Sequence, residues 1–154
     1  MPHYIRLNNG VTNQSADFAS PITIPDGGLL RIRGVWHNAA GISSQRLVNS
    51  MRLNTTQIRL RVGNTTDTYS VDMAPFDGVL ATYELRRSGD DYTAYINGSP
   101  TAASQNSATQ GLLYYLVNGS STNFIQLDLY EAELENSTGV ISRWIPTGSG
   151  STIP

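Results

Sequence analysis

The chain has 154 residues, a formal net charge of −2, 39% apolar residues, 14% charged residues and no cysteine. Its length suits a single domain, and the lack of cysteine excludes a disulfide framework and a cysteine-based metal site. The weakly acidic net charge gives no support for a nucleic-acid partner. No apolar run approaches the ~18 residues of a membrane span, so we expect no contact with nucleic acid or with a membrane.

The start of the chain, Met-Pro-His-Tyr-Ile-Arg, lacks the basic and apolar regions of a secretion signal. We therefore expect synthesis and folding in the cytoplasm. All ten cationic residues are arginine. Because protein interfaces are enriched in arginine and depleted in lysine, this composition is consistent with a protein that packs against neighbours.

Short segments that alternate apolar and polar residues recur along the chain, and no segment of about 11 or more residues has helical periodicity. The predicted strands cover residues 4–7, 22–24, 29–36, 46–53, 57–62, 68–73, 80–86, 92–96, 112–117, 124–134 and 140–145. Short strands at this regular spacing predict an all-β sandwich or barrel. We predict one domain over residues 1–146 and a flexible Gly/Ser/Thr-rich tail over residues 147–154.

Two of the predicted strands carry pairs of arginines on one face. Residues 30–35 alternate so that Arg31 and Arg33 share a side, and residues 57–62 do the same with Arg59 and Arg61. Such alternation is typical of an antiparallel sheet with one solvated or partner-facing side. Since guanidinium groups bind carboxylates bidentately, we predict that these four arginines contact a protein partner.

Local turn chemistry predicts where strands reverse or change face. The Asn97-Gly98 pair that ends one strand is a strong hairpin signal, because both residues tolerate positive φ. Residues 25–28 and 88–91 are predicted to be turns for similar reasons. In residues 124–134 the apolar positions change from odd to even, which predicts a β-bulge near Tyr130 and Glu131.

The order of these pieces resembles the laminin-G-like, concanavalin A-like jelly-roll family over most of the chain. The segments that carry the resemblance are residues 4–7 with Asn9-Gly10, residues 30–36, residues 77–85 followed by the Tyr-Ile-Asn-Gly end at 95–98, and residues 127–130 through 143–146. The last piece is similar to a closing hairpin that is frequent in such domains of bacteriophage virion proteins. The resemblance implies an antiparallel jelly-roll β-sandwich.

An enzymatic alternative rests on Glu131, Glu133 and Glu135. On a strand their side chains face one way, with neighbours roughly 6.6 Å apart. Glycoside hydrolases use two carboxyl groups about 5–5.5 or 6.5–9.5 Å apart, so this spacing could serve such a pair. The resemblance points to hydrolases with a comparable strand, which carry an aspartate where this chain has Glu133. The competing interpretation is a solvated acidic face that discourages edge pairing.

Other kinds of site find less support. The two histidines, His3 and His37, have no recognisable nucleophile partner, and His37 is expected simply to end a strand. The resemblance leaves calcium open, through aspartates in or near loops: Asp17, Asp26, Asp72, Asp77, Asp90 and Asp91. Aromatic platforms for a sugar would come from a pool of Trp36, Tyr69, Tyr114, Tyr115 and Trp144, with Asn97 nearby. We predict no catalytic, cofactor-binding or metal-binding residues.

The favoured function is a non-enzymatic virion protein of a tailed bacteriophage, a capsid decoration protein that binds and reinforces the shell. Its partners would be the major capsid protein lattice and neighbouring copies of itself, and it would reside in the virion after assembly in the host cytoplasm. One alternative is a carbohydrate- or receptor-binding module of a tail fibre, which would add a glycan as partner. The other is a glycoside hydrolase that uses the three glutamates.

Overall fold

The computed structural model describes residues 4–7, 16–38, 45–48, 50–54, 57–62, 68–70, 72–108, 113–117, 125–146 and 152–153. Within these residues the regular structure is almost all β, and one 3₁₀ turn, Ala74–Phe76, precedes a strand. The strands are β1 (Ile5–Leu7), β2 (Ala16–Ile22), β3 (Leu29–His37), β4 (Gln45–Val48), β5 (Met51–Leu53), β6 (Ile58–Leu60), β7 (Thr68–Ser70), β8 (Leu80–Ser88), β9 (Asp91–Ile96), β10 (Ser99–Asn106), β11 (Leu113–Val117), β12 (Gln126–Asn136), β13 (Gly139–Trp144) and β14 (Thr152–Ile153).

The largest sheet has seven antiparallel strands in the order β1-β12-β3-β8-β9-β10, with β13 also paired to β12. Strand β12 is the longest, and β3 pairs along most of one side of it. Its other side is shared, since β1 pairs with residues 127–129 and β13 with residues 132–136. The side chains of β13 therefore lie at an edge of this sheet, beside the end of β12.

The remaining strands form a second layer. One group has the order β11-β2-β14 and the other β4-β5-β6-β7, and β11 runs close to β4. A single buried cluster joins the layers: Trp36 and Tyr83 come from the seven-stranded sheet, and Met51 and Leu60 from the four-stranded sheet. The predicted antiparallel jelly-roll β-sandwich is thereby confirmed.

Two local predictions are confirmed in detail. Asn97 and Gly98 have φ values of 50° and 79°, as the hairpin between β9 and β10 requires. In β12 the register against β3 shifts between Leu129 and Glu131, so Tyr130 is the extra residue of a bulge. Gly34 faces this site, where a Cβ atom would lie 2.7 Å from the carbonyl oxygen of Asp128. The absence of a side chain at Gly34 therefore permits close approach of β12.

Other predictions need correction. Residues 46–53 were expected to form one strand, but they belong to two, β4 and β5, which pair with each other as a hairpin. Strand β10 was not predicted, because its mixture of small and polar residues lacks the usual β-branched and aromatic signal. Strand β2 begins at Ala16, earlier than the expected 22–24. The division into a domain over residues 1–146 and a tail over residues 147–154 stays a prediction. In that tail Thr152 and Ile153 pair in parallel with β2, and residues 147–151 and 154 lie outside the described residues.

Candidate functional site

The three glutamates of β12 lie on the outer face of the seven-stranded sheet, since the residues between them, Ala132 and Leu134, belong to the core. Arg143 of β13 is 3.0 Å from Glu131 and 2.5 Å from Glu133. Arg31 of β3 is 3.0 Å from Glu133 and 2.6 Å from Glu135. Each carboxylate is therefore paired with a guanidinium, and that of Glu133 is paired with two.

Glu133 and its two arginines belong to one cross-strand row, which we call the mixed-charge row: Arg143, Glu133, Arg31 and Glu84. Consecutive members face each other in register on β13, β12, β3 and β8. The last pair of the row is an ion pair of 3.1 Å between Arg31 Nε and Glu84 Oε1. Opposite charges at facing positions of neighbouring strands stabilise a sheet, so this outer face is held together by its own charges.

The electrostatics of Glu133 do not suit a catalytic acid. Burial of its carboxyl group opposes ionisation, but hydrogen bonds from Arg143 and Arg31 outweigh burial and hold its pKa below the ordinary value. A glycosidase general acid requires the opposite, a raised pKa that keeps the proton available near neutral pH. The arrangement therefore favours the structural interpretation of Glu131, Glu133 and Glu135 over the catalytic one.

A second ion cluster surrounds Asp128 at the other end of β12. Arg6 of β1 donates two hydrogen bonds to its carboxylate, of 2.6 and 2.8 Å. His37 Nε2 lies 3.2 Å from Asp128 Oδ2. Burial of the carboxyl group works against ionisation, yet the hydrogen bonds from Arg6 and His37 lower its pKa overall. His37 ends β3, as predicted, but the sequence did not indicate Asp128 as its partner.

Tyrosines cover several guanidinium groups on the same outer face. The guanidinium carbon of Arg86 lies 3.9 Å from the centroid of the Tyr95 ring, and that of Arg33 lies 5.6 Å from the Tyr130 ring. The Tyr130 ring also stacks on Tyr4, with 5.2 Å between centroids. These cation–π contacts add to the ion pairs in ordering the arginines.

The four arginines predicted to contact a partner do not form one surface. Arg31 and Arg33 lie on the seven-stranded sheet, where Arg31 is held by three carboxylates and Arg33 is next to Tyr130. Arg59 lies on β6 of the other layer, and Arg61 follows that strand as an exposed residue. The predicted alternation around Arg59 and Arg61 is correct, but the two pairs belong to different sheets.

The four-stranded sheet carries a second cross-strand row, which we call the arginine row: Arg46, Arg52 and Arg59. Arg46 faces Arg52 across β4 and β5, and Arg52 faces Arg59 across β5 and β6. This row was not predicted, because residues 46–53 were expected to form one strand. The signal that could have found it is the Asn49-Ser50 pair, a turn-forming dipeptide between two apolar residues.

Strand β13 exposes large aliphatic side chains. Val140 and Ile141 are 45% and 49% exposed, and Ile145, just after the strand, is 56% exposed. On the core side, Trp144 contacts Phe18, with 5.2 Å between ring centroids. Among the described residues, β13 pairs only with β12. It therefore presents an apolar edge, and such edges commonly mark sites of association.

The loop aspartates mostly serve the chain's own backbone. The carboxylates of Asp26, Asp72 and Asp77 accept hydrogen bonds from the backbone N–H groups of Gly89, Ala74 and Asn38, at 2.6, 3.0 and 2.9 Å respectively. Across the part of the chain that the structure describes, no group of three or more acidic or histidine side chains could hold a metal ion. The side chain of Asp17 lies outside that part.

No helix in the described ranges is long and apolar enough to cross a membrane. No protein-family model and no curated protein matches the chain. Among solved structures, the galectin LEC-6 of Caenorhabditis elegans is similar with a TM-score of 0.44 and 13% sequence identity, over 84% of this chain and 99% of that one. At this TM-score and identity the likeness carries no inference about function.

Proposed function

We propose that this chain is a non-enzymatic structural protein of a tailed-bacteriophage virion, which binds the outer surface of the capsid as a decoration protein. Its partners would be the major capsid protein lattice and neighbouring copies of itself. The observation that supports docking is the apolar edge of β13, formed by Val140, Ile141 and Ile145. The bacteriophage assignment rests on the resemblance of the closing hairpin, residues 127–146, to virion proteins of the jelly-roll family, and is therefore an analogy.

The apolar edge suits a protein partner because it is both exposed and fixed in position. Arg143, between Ile141 and Ile145, is tied to Glu131 and Glu133 on the neighbouring strand. A strand that is already ordered loses little conformational entropy on binding, so more of the buried apolar area contributes to affinity. An edge strand also has backbone groups that a partner strand can pair with.

The non-enzymatic part of the proposal is supported by the mixed-charge row. The carboxylates that could have formed a glycosidase pair are neutralised by Arg31 and Arg143, and the pKa of Glu133 is lowered rather than raised. The protein should therefore release no new reducing ends from β-glucans or host polysaccharide. Hydrolysis that disappears in Glu131→Gln or Glu133→Gln would overturn this part.

The test of docking uses phage heads stripped of the protein. The parent chain and an Ile141→Asp variant are added back at equal concentrations, and bound copies are counted per head. Val79→Asp is the matched control, because Val79 is 48% exposed, like Ile141 at 49%, but lies in the loop before β8. We expect the parent and the control to rebind and the Ile141 variant to lose most of its binding.

Two results would count against the proposal. If the Ile141 and Val79 variants rebind equally well, β13 is not the docking edge. If the parent itself fails to rebind heads but binds host-cell glycan, the decoration role is wrong and a receptor-binding module of a tail fibre replaces it.

A further inference from the structure

A second cross-strand row runs beside the mixed-charge row on the outer face of the seven-stranded sheet. We call it the donor row: Arg33 on β3, Thr82 on β8 and Asn97 just after β9. Arg33 and Thr82 face each other in register. Thr82 and Asn97 are joined by two bonds, since the Asn97 backbone N–H donates to the Thr82 carbonyl oxygen at 2.8 Å and the Thr82 N–H donates to Asn97 Oδ1 at 2.9 Å. The neighbours Ile32 and Tyr83 are fully buried, so the row lies on the face turned away from the core.

The donor groups of this row are not used by the part of the chain that the structure describes. There the Arg33 guanidinium contacts the Tyr130 ring at 5.6 Å and forms no hydrogen bond or ion pair. A guanidinium carries several N–H donors, so one ring contact leaves most of them available. The Thr82 hydroxyl makes no hydrogen bond in the same residues, and Asn97 uses its Oδ1 and not its NH₂ group. Arg33 and Asn97 are exposed, and Thr82 is half-buried.

Arg33 differs in this respect from the other arginines of the outer face. Each of those has a carboxylate partner at 3.1 Å or less: Arg6 with Asp128, Arg31 and Arg86 with Glu84, and Arg143 with Glu131. Glu131 faces Arg33 in register, but its carboxylate is the one that pairs with Arg143. The face therefore offers a single guanidinium to an outside anion, which suits one carboxylate and not a polyanion.

Apolar and aromatic side chains border the donor row. Leu80 lies two positions before Thr82 on the same face, is 42% exposed, and faces the half-buried Val35. On the other side of Arg33, the Tyr130 ring stacks on Tyr4, which is 44% exposed. A few convergent polar groups beside apolar surface are typical of small-ligand sites. They match a sugar, which presents hydroxyl groups at its edge and C–H groups on its faces.

We propose that the donor row binds a carboxylated saccharide of the sialic acid class, with its carboxylate on Arg33 and its hydroxyl groups on Thr82 and Asn97. A guanidinium can bind a carboxylate bidentately, and hydroxyl and amide groups donate to sugar oxygens. Neighbouring strands are about 4.8 Å apart, so the row spans about 10 Å, a length that suits a disaccharide. The net charge of −2 disfavours nucleic acid, which requires a broadly basic surface. This site is separate from the apolar edge of β13 and independent of the proposed capsid role.

Binding is measured by calorimetry on the full chain with sialyllactose. Lactose, which lacks the acidic unit, is the neutral control, and a single-stranded DNA oligonucleotide is the polyanion control. Arg33→Gln removes the guanidinium. Arg61→Gln is the matched control, because it removes the same charge from an exposed arginine that follows β6 in the other layer. Asn97→Asp keeps the acceptor for the Thr82 N–H and replaces the amide donor by a negative charge.

We expect sialyllactose to bind at least about tenfold more tightly than lactose or DNA, because a hydrogen bond to a charged group is strong. Arg33→Gln should weaken binding by a similar factor, Arg33→Lys should bind at an intermediate level, and Arg61→Gln should bind like the parent. Asn97→Asp should also weaken binding. Thermal melts check the fold, and Arg33→Gln should melt close to the parent since Arg33 is exposed. If Arg33→Gln does not fold, Arg33→Lys tests the same contact.

The proposal is overturned if the parent does not bind sialyllactose, or if lactose or DNA binds as tightly. It is also overturned if Arg33→Gln and Arg61→Gln weaken binding equally, or if Asn97→Asp binds like the parent. Ile141→Asp, which tests docking on phage heads, should keep its affinity for sialyllactose. The two proposals can therefore fail separately.

Discussion

The side-chain amide of Gln105 on β10 donates a hydrogen bond of 2.7 Å to the backbone carbonyl of Leu60 on β6. The carbonyl oxygen of the same amide accepts a bond of 2.6 Å from the backbone N–H of Val62. The Gln105 side chain therefore links the two layers of the sandwich through backbone hydrogen bonds to the second layer. It is only 6% exposed, so these bonds form in a site shielded from water.

Gln105→Leu should lower the free energy of unfolding by roughly 2–6 kcal/mol, because two buried backbone groups lose their amide partners and each costs about 1–3 kcal/mol. Urea denaturation measures this change. Ser104→Ala is the control, since the neighbouring Ser104 is exposed, and it should remain within about 0.5 kcal/mol of the parent. Equal stability of the two variants would contradict the bridging role of Gln105.

Gly98→Val should destabilise the hairpin between β9 and β10 by about 1 kcal/mol or more. The φ of Gly98 is 79°, and a β-branched residue is strained in that region even though a Cβ atom there would meet no neighbour. Thermal melting is the measurement. Ser99→Val introduces the same side chain at the adjacent exposed position, where no positive φ is required, and should melt close to the parent. A Gly98→Val melt that overlays the parent would disprove the backbone argument.

The stability of the protein should fall in acid partly through Asp128, whose pKa is lowered in the folded chain. Such a carboxylate stabilises the fold above its ordinary pKa of about 4, and the contribution is lost as pH falls through the lower folded value. Urea denaturation is measured from about pH 7 to about pH 2. At neutral pH the free energy of unfolding of the parent should be well above that of Asp128→Asn. This difference in the free energy of unfolding should narrow below about pH 4. A gap that stays constant with pH would contradict this origin.

Tyr83→Phe should leave the free energy of unfolding unchanged or raise it by up to about 1 kcal/mol. The Tyr83 side chain is fully buried, and its hydroxyl has no hydrogen-bond partner within the described part of the chain. Burial raises the pKa of this hydroxyl. Removing an unsatisfied polar group relieves its desolvation cost. Tyr83→Leu, which leaves a cavity, should instead lose about 2 kcal/mol or more. Marked destabilisation by Tyr83→Phe would indicate that the hydroxyl is bonded.

The features that could be predicted from the sequence are those with a local physical cause. The phase change of apolar residues in β12 predicted the bulge at Tyr130, and the Asn97-Gly98 pair predicted the positive φ values of its turn. Features with a weak local signal could not be predicted. Strand β10 has few residues that favour strands by themselves, and its place is decided by pairing with β9 and by Gln105.

The sequence by itself determined the all-β character, tight turns such as Asn97-Gly98 and, for predicted strands such as β3 and β6, the side that faces the core, because alternation and turn chemistry act between near neighbours along the chain. Only the tertiary structure decided which charges meet. Glu133 faces Arg31 because β12 pairs with β3, more than 100 positions earlier in the chain, and Arg46 faces Arg52 because β4 and β5 form a hairpin. Register between strands is set by the packing of the whole core, so arginine faces glutamate on one sheet and faces arginine on the other.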